Sequence, residues 1–215
     1  MNQNLTDDLI DSLKLYSNLI PGIAPFFVEL ITQKIPNQKL DRVINFIKIF
    51  NIKFNNLNNE YQQLNNEYQQ LKKFFESPPV LDLFEEALIH ASKSFSENRN
   101  NYIINLLIKS FQQSDFDQIK IKHLLNTLNE INDIQILILL KYAKVKELNI
   151  FKEFNLEYNR NDIAPMLDNY ELHLSNLGLL DKITREIKDS RVNSVPIIRY
   201  ELSNFGRIFI QYIYN

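Results

Sequence analysis

The most regular feature of the chain is a stripe of apolar residues, spaced alternately three and four apart, that runs from Leu40 to Phe75. Such spacing, kept over about five heptads, follows one side of a single α-helix and is typical of coiled-coil packing. It predicts one continuous, coiled-coil-like helix over about residues 38–76. Pro78 and Pro79 end this helix, because proline lacks a backbone N–H and disfavours helix in the preceding residue.

The two halves of the stripe differ in what flanks them. Further apolar residues lie beside the stripe in 40–54, whereas only Asn, Gln and Glu flank it in the heptad Leu-Asn-Asn-Glu-Tyr-Gln-Gln, which occurs at 57–63 and again at 64–70. A narrow apolar stripe on a polar helix favours self-association, which predicts a homo-oligomer. The predicted seam consists of Phe54, Leu57, Tyr61, Leu64, Tyr68, Leu71 and Phe75. Two alternatives stay open: the second half is a solvated arm, or helices over 80–95 and 97–111 cover the seam within one chain.

Helical periodicity continues to about residue 148, and polar residues mark the helix starts. Ser114 with Asp117 has the pattern of a capping box for a helix through Leu128. Asn132 or Asp133 caps the almost wholly apolar stretch 134–142, which we expect to be a central helix.

The C-terminal third changes character. A helix over about 163–177 ends at Gly178, a residue suited to a left-handed cap, and residues 183–188 and 196–202 are predicted to be strands around a polar loop. Ser203 caps a last helix. The predicted fold is therefore mainly α: a helical domain over 1–150 that includes the long helix, and a small winged-helix-like module over 151–215.

The segment 19–35, which contains the most apolar stretch of the chain at 19–31, has two interpretations. It is too short to be a constitutive membrane-spanning helix, and the acidic, polar N-terminus is not a secretory signal, so a cytoplasmic location is expected. The default interpretation is a buried helical hairpin. The alternative is an element that contacts a membrane on activation, through Ile23, Phe26, Phe27, Leu30 and Ile31.

Composition excludes several kinds of chemistry. The chain has no cysteine and three scattered glycines, which cannot form a phosphate-binding glycine loop. His90, His123 and His173 lie far apart in sequence, without the spacing of a metal site. We therefore expect no catalytic residues, no metal and no cofactor, and a protein that is not an enzyme.

A winged-helix-like module raises the question of DNA binding. The helix in the recognition position, residues 165–180, carries Asp168 and Glu171 and neither Lys nor Arg, and the formal net charge of the chain is −2. Binding to duplex DNA depends on neutralising phosphates, so a nucleic-acid partner is not expected. In the alternative, a DNA-binding regulator would contact phosphates through Lys188, Arg191 and Arg199.

Two stretches resemble a bacterial family. The segment FEEALIHASKSFSENRNNYIINLLIKSF (84–111) resembles the helix pair of abortive-infection alpha proteins, and residues 173–213 resemble the closing winged helix of that group. Residues 20–51 resemble small phage-defence proteins. The resemblance implies a non-enzymatic phage-defence protein of the abortive-infection type. Such a protein would act by protein–protein contact with a phage protein and by self-association, with membrane contact after activation.

Overall fold

The computed structural model describes residues 29, 31, 33–61, 77–94, 96–113, 116–144, 160–189 and 192–214. These residues form seven α-helices and one antiparallel pair of strands, which confirms the prediction of a mainly helical chain with a small hairpin. They fall into two compact units, within residues 1–125 and within residues 126–215. The predicted domain division near residue 150 lies outside the described residues.

The N-terminal unit is built from helices. A short 3-10 turn, Asn37–Lys39, leads into α1 (Leu40–Tyr61), followed by α2 (Pro78–Lys93), α3 (Glu97–Phe111) and α4 (Gln118–Glu130), the last of which reaches the end of this unit at Leu125. Residues 62–76 of the predicted long helix lie outside the described residues. Pro78 and Pro79 are the first two residues of α2, where a missing N–H leaves no helical hydrogen bond unmade.

Aromatic rings hold the core of the N-terminal unit together. Phe50 of α1 meets Phe84 of α2 edge to face, with ring centroids 5.2 Å apart, and Phe84 lies 5.5 Å from Phe111 of α3. Such pairs contribute about 1 kcal/mol beyond the burial of their area. The apolar residues of the first half of the stripe are all buried here: Leu40, Val43, Ile47, Phe50 and Phe54. This half therefore packs inside its own unit.

The C-terminal unit combines three helices with the hairpin. Its elements are α5 (Asp133–Tyr142), α6 (Arg160–Asn176), β1 (Leu180–Asp189), β2 (Val192–Leu202) and α7 (Asn204–Ile213). α5 contacts α6, β2 and α7. A capping box starts α5, in which Asn132 Oδ1 accepts from Gln135 N at 2.9 Å and Gln135 Oε1 accepts from Asn132 N at 3.0 Å. The helix, hairpin, helix order follows the prediction.

The turn after α6 depends on two glycines. Gly178 has a φ of 73°, the left-handed conformation that ends a helix, and Leu179 N donates to Leu174 O at 2.9 Å across it. Ser203 Oγ accepts from Gly206 N at 2.8 Å at the start of α7 and donates to Gly178 O at 2.6 Å. A Cβ at Gly206 would lie 2.2 Å from the carbonyl oxygen of Leu179. The turn and α7 therefore approach each other at a distance that only glycine permits.

The strands are longer than predicted. Their pairing runs from Leu180 opposite Leu202 to Asp189 opposite Val192, with an irregularity between Ile187 and Asp189. Residues 189 and 192–194, assigned to a polar loop by sequence, belong to the strands. Continued backbone pairing outweighs the weak strand propensity of these polar residues.

None of the helices in the described part of the chain is both long and apolar enough to cross a bilayer.

Candidate functional site

The described part of the predicted seam lies on α1. Phe54 is 4% exposed and stacks on Phe50, with ring centroids 5.7 Å apart. Its ring is therefore covered within its own unit. This is what the alternative in which the seam is buried within one chain requires of Phe54. Leu57 and Tyr61 belong to the last turns of α1. Leu64, Tyr68, Leu71 and Phe75 lie outside the described residues.

The candidate membrane residues are described at one position. Ile31 is 1% exposed, and its carbonyl accepts from Ile35 N at 3.2 Å. This burial is what the interpretation as a packed hairpin expects of Ile31. Ile23, Phe26, Phe27 and Leu30 lie outside the described residues.

The candidate phosphate contacts are spread along the hairpin. Lys188 is in β1, and Arg199 is an exposed residue of β2 whose partner in β1 is Ile183. Lys188 lies five positions after Ile183 along the strand, a distance of roughly 17 Å. Arg191 lies outside the described residues. The structure thus does not bring Lys188 and Arg199 together.

The C-terminal unit contains a cleft of about 590 Å³ that the sequence analysis did not find. One wall is the outer face of α6, and it carries Asp168, Asn169, Glu171 and Leu172. The opposite wall is the hairpin, with Lys182, Ile198, Arg199 and Tyr200, and Tyr142 at the end of α5 lies between the walls. A volume of this size holds a small molecule or a few residues of a peptide.

Strand pairing explains which hairpin side chains face α6. Leu180 pairs with Leu202, and both are buried. Side chains on one face of a strand recur every second residue, so Lys182, Tyr200 and Ile198 share the face of this buried pair. On this face Leu180 and Leu202 are buried, whereas Lys182 and Ile198 are exposed. The cleft forms between these exposed residues and α6.

A hydrogen bond closes the bottom of the cleft. Tyr142 Oη donates to Glu171 Oε1 at 2.6 Å. Burial raises the pKa of the Tyr142 hydroxyl well above its usual value, and the bond to Glu171 and the charge of Glu171 raise that pKa further. Tyr142 is therefore a neutral donor at physiological pH.

A second polar contact fixes α6 relative to α5. Gln135 Nε2 lies 2.7 Å from His173 Nδ1. An amide nitrogen only donates, and Gln135 Oε1 already accepts from Asn132 N, so Nδ1 is the acceptor and a neutral His173 carries its proton on Nε2. Gln135 is 3% exposed. This buried contact keeps the helical wall of the cleft in place.

Several charges in the cleft have no partner in the part of the chain that the structure describes. The side chains of Asp168, Lys182 and Arg199 form no hydrogen bond or ion pair there. Two apolar side chains are also open to solvent, Ile198 at 50% exposed and Leu172 at 41%. The cleft thus offers charged, aromatic and apolar groups, a mixture typical of protein-binding surfaces.

The sequence contained a partial signal for this cleft. Asp168, Glu171 and Leu172 are spaced to share one face of a helix. Lys182 is a polar residue close in sequence to the apolar residues Leu180 and Ile183. By themselves, the two acids within 165–180 argue only against contact with DNA phosphates. Tyr142 had no signal at all, because its role depends on contacts between α5 and α6.

No group of three or more His, Asp or Glu residues among the described residues is arranged to hold a metal ion. Comparisons with protein-family models, with curated proteins and with solved structures find no match for this chain.

Proposed function

We propose that this chain is a non-enzymatic phage-defence protein of the abortive-infection type, and that it works by binding another protein through the cleft of its C-terminal unit. The proposed partner is a phage protein. The single observation that carries the binding role is the cleft itself. It has Ile198 and Leu172 open to solvent beside charges of both signs that have no partner among the described residues. The setting in phage defence rests on the family resemblance of residues 84–111 and 173–213.

The composition of the cleft favours a protein partner over duplex DNA. The exposed face of α6 carries Asp168 and Glu171, which would repel phosphates in the position that a recognition helix occupies. Arg199, one of the three candidate phosphate contacts, borders the cleft. The DNA-binding regulator is therefore the second candidate, and a gel shift tests it directly. Salt-sensitive binding to duplex DNA below micromolar concentration would reverse the order of the two functions.

Self-association and membrane contact complete the proposal. Self-association would use the seam beyond Phe54, since Phe54 is buried in its own unit. Membrane contact by residues 19–35 would require Ile31 to leave the core on activation. Replacing Phe26 and Phe27 by Glu tests this step. Loss of toxicity and of liposome leakage in a folded variant supports membrane contact, whereas a folded and still toxic variant rejects it.

The binding role is tested by phage challenge of bacteria that express the chain. Ile198→Asp places a charge in the cleft at a half-exposed position, and we expect it to abolish protection without unfolding the protein. The matched control is Ile119→Asp on α4, where the native side chain is 83% exposed and lies outside the cleft. Circular dichroism of both purified variants checks that the fold is retained.

The outcomes separate the parts of the proposal. Loss of protection in Ile198→Asp but not in Ile119→Asp supports a role of the cleft in defence. Equal protection by both variants rejects that role. No protection by the unchanged chain, against a panel of phages, rejects the defence function itself.

A further inference from the structure

The cleft reaches the backbone of β2 as well as its side chains. Ile198, Arg199 and Tyr200 are consecutive, and all three line the cleft. Consecutive side chains of a strand point to opposite faces, so side chains on one face alone cannot account for this lining. The cleft therefore also reaches β2 at Arg199, between the side chains of Ile198 and Tyr200.

The outer edge of β2 has no strand beside it in the described part of the chain. The sheet there contains two strands, so β2 pairs with β1 on one side and with no described strand on the other. Alternate residues of an edge strand direct N–H and C=O groups outward, and an extended peptide can satisfy them by adding a strand. Three residues in a row along the cleft are enough to begin such pairing.

Side chains of an added strand would meet an acidic wall. Strand addition keeps the faces of the sheet, so alternate side chains of the peptide would lie on the face of Ile198 and Tyr200, towards α6. The charged groups on this side are Asp168, Glu171 and Lys182, whose formal charges sum to −1. Arg199 belongs to the opposite face. A basic side chain of the peptide is therefore favoured, between the carboxylate of Asp168 and the ring of Tyr200.

We propose that the edge of β2 opposite β1 binds an extended segment of the partner protein as a third strand, with a Lys or Arg of that segment paired to Asp168 and apolar residues beside it on Ile198 and Leu172. This inference rests on the proposed protein-binding function and names its ligand. Main-chain hydrogen bonds supply the pairing. Asp168 selects the charge of the inward side chain.

The experiment uses a displayed library of random linear peptides, selected on the full-length protein. Enriched peptides should contain a basic residue among β-branched residues. Asp168→Lys should weaken their binding at least tenfold, and replacing the peptide's basic residue by Glu should restore binding to that variant. The matched control is Asp181→Lys. Asp181 is an exposed acid of β1, and because it is next to Lys182 in the strand, its side chain lies on the other face of the hairpin. It should leave binding unchanged.

Two measurements test strand addition itself. Amide hydrogen exchange in 198–200 should slow when the selected peptide binds, because outward N–H groups become bonded. N-methylation of the peptide at every second residue should abolish binding in one register and not in the other. Unchanged exchange, or equal effects in both registers, would overturn the strand geometry.

Failure of this inference can be told apart from failure of the proposed function. If no peptide is enriched, or if Asp168→Lys does not weaken binding, a basic extended segment is not the ligand. Phage protection that is lost in Ile198→Asp would still support a binding role of the cleft. If protection is also intact in Ile198→Asp, that role fails as well.

Discussion

Tyr142 donates a 2.6 Å hydrogen bond to Glu171 and so joins the last residue of α5 to the middle of α6. The bond is made between a half-buried hydroxyl and a carboxylate, a type that contributes more than a bond between neutral groups. It lies at the bottom of the cleft, where it limits how far α6 can separate from α5. Stability of the C-terminal unit and the shape of the cleft are thus coupled through one side-chain pair.

Tyr142→Phe should lower the free energy of unfolding of the C-terminal unit by about 2 kcal/mol, because the ring stays and only the hydrogen bond to the carboxylate is lost. Hydrogen exchange of the α6 amides measures this unit by itself. Tyr170→Phe, which removes a hydroxyl group from α6, is the control and should change the free energy of unfolding little. Equal effects of the two substitutions would show that the bond to Glu171 adds no stability.

The same bond predicts a dependence on alkaline pH. The pKa of Tyr142 is raised in the folded state, so its contribution to stability is fully present below the ordinary tyrosine pKa of about 10. Above that pH the unfolded chain loses the proton first, and the contribution declines as the pH rises towards the folded pKa. The difference in stability between the native protein and Tyr142→Phe should therefore be constant from pH 7 to about 10 and shrink above it. A difference that grows with alkaline pH would contradict a raised pKa.

Gly206→Ala should be strongly destabilising. The new Cβ would lie 2.2 Å from the carbonyl oxygen of Leu179 and 2.9 Å from Leu202 Cδ1, and the carbonyl belongs to a turn that cannot move freely. Overpacking of this kind costs about 1–3 kcal/mol. Gly178→Ala is the comparison. A Cβ at Gly178 has room, so the expected loss of stability is about 1 kcal/mol and comes from the left-handed backbone alone. Urea unfolding of both variants should rank Gly206→Ala lower, and the opposite ranking would show that backbone conformation outweighs the close contact.

Much of the fold followed from local patterns in the sequence. Gly178 as a left-handed cap, Ser203 as the cap of the last helix and Asn132 as the cap of the apolar helix are all present, because each depends on a few neighbouring residues. The cap of α4 shows the limit of such patterns. Asp117 Oδ1 accepts from Lys120 N at 3.0 Å and so serves as the N-cap, whereas the sequence pattern gave that position to Ser114. Either residue satisfies the local rule, and tertiary packing decides where the helix begins.

The cleft was not predictable because it depends on how the hairpin packs beside α6. Ile198, Arg199 and Tyr200 lie within the strand predicted over 196–202, and Lys182 lies next to the strand predicted over 183–188. Strand propensity does not indicate which face of the hairpin packs against the helix. The acids of α6 were visible in the sequence, but their opposition to Lys182 and Tyr200 arises only in three dimensions.

Lys109→Met should raise the pKa of Lys53. Burial lowers the pKa of both lysines, and the charge of Lys109 lowers that of Lys53 further, while Lys53 Nζ donates to Asn105 Oδ1 at 2.7 Å. Removing the like charge should also raise the stability of the N-terminal unit by about 0.5 kcal/mol near neutral pH. A lowered lysine pKa costs stability while the lysine is charged, so this gain should fade as the pH rises through the folded pKa.

NMR titration of carbon-labelled lysines follows Lys53 directly. Lys48→Met, at an exposed position of α1, is the control and should leave the pKa of Lys53 unchanged. Part of the shift should persist in Lys109→Met, because burial is the larger cause. A pKa of Lys53 that does not respond to Lys109→Met would mean that the two charges are not close in solution.

Replacing Leu57, Leu64 and Leu71 by Asp should convert an oligomer to a monomer. The first half of the apolar stripe, through Phe54, is covered by α2 and α3 within one chain, so the outer half is what remains for a second copy. Three charges at seam positions would have to be buried against that copy, which costs far more than a seam of this size returns. Light scattering at tens of micromolar measures the change in mass.

The control for the seam places the same three charges off the stripe, as Asn59→Asp, Gln63→Asp and Asn66→Asp. These residues flank the stripe in the repeated heptads, so the added charge should leave the mass unchanged while matching the first variant in net charge. Loss of association in both variants would indicate general charge repulsion instead of a seam. A native protein that is already a monomer at this concentration would reject self-association, and the cleft of the C-terminal unit would then have to act in a single copy.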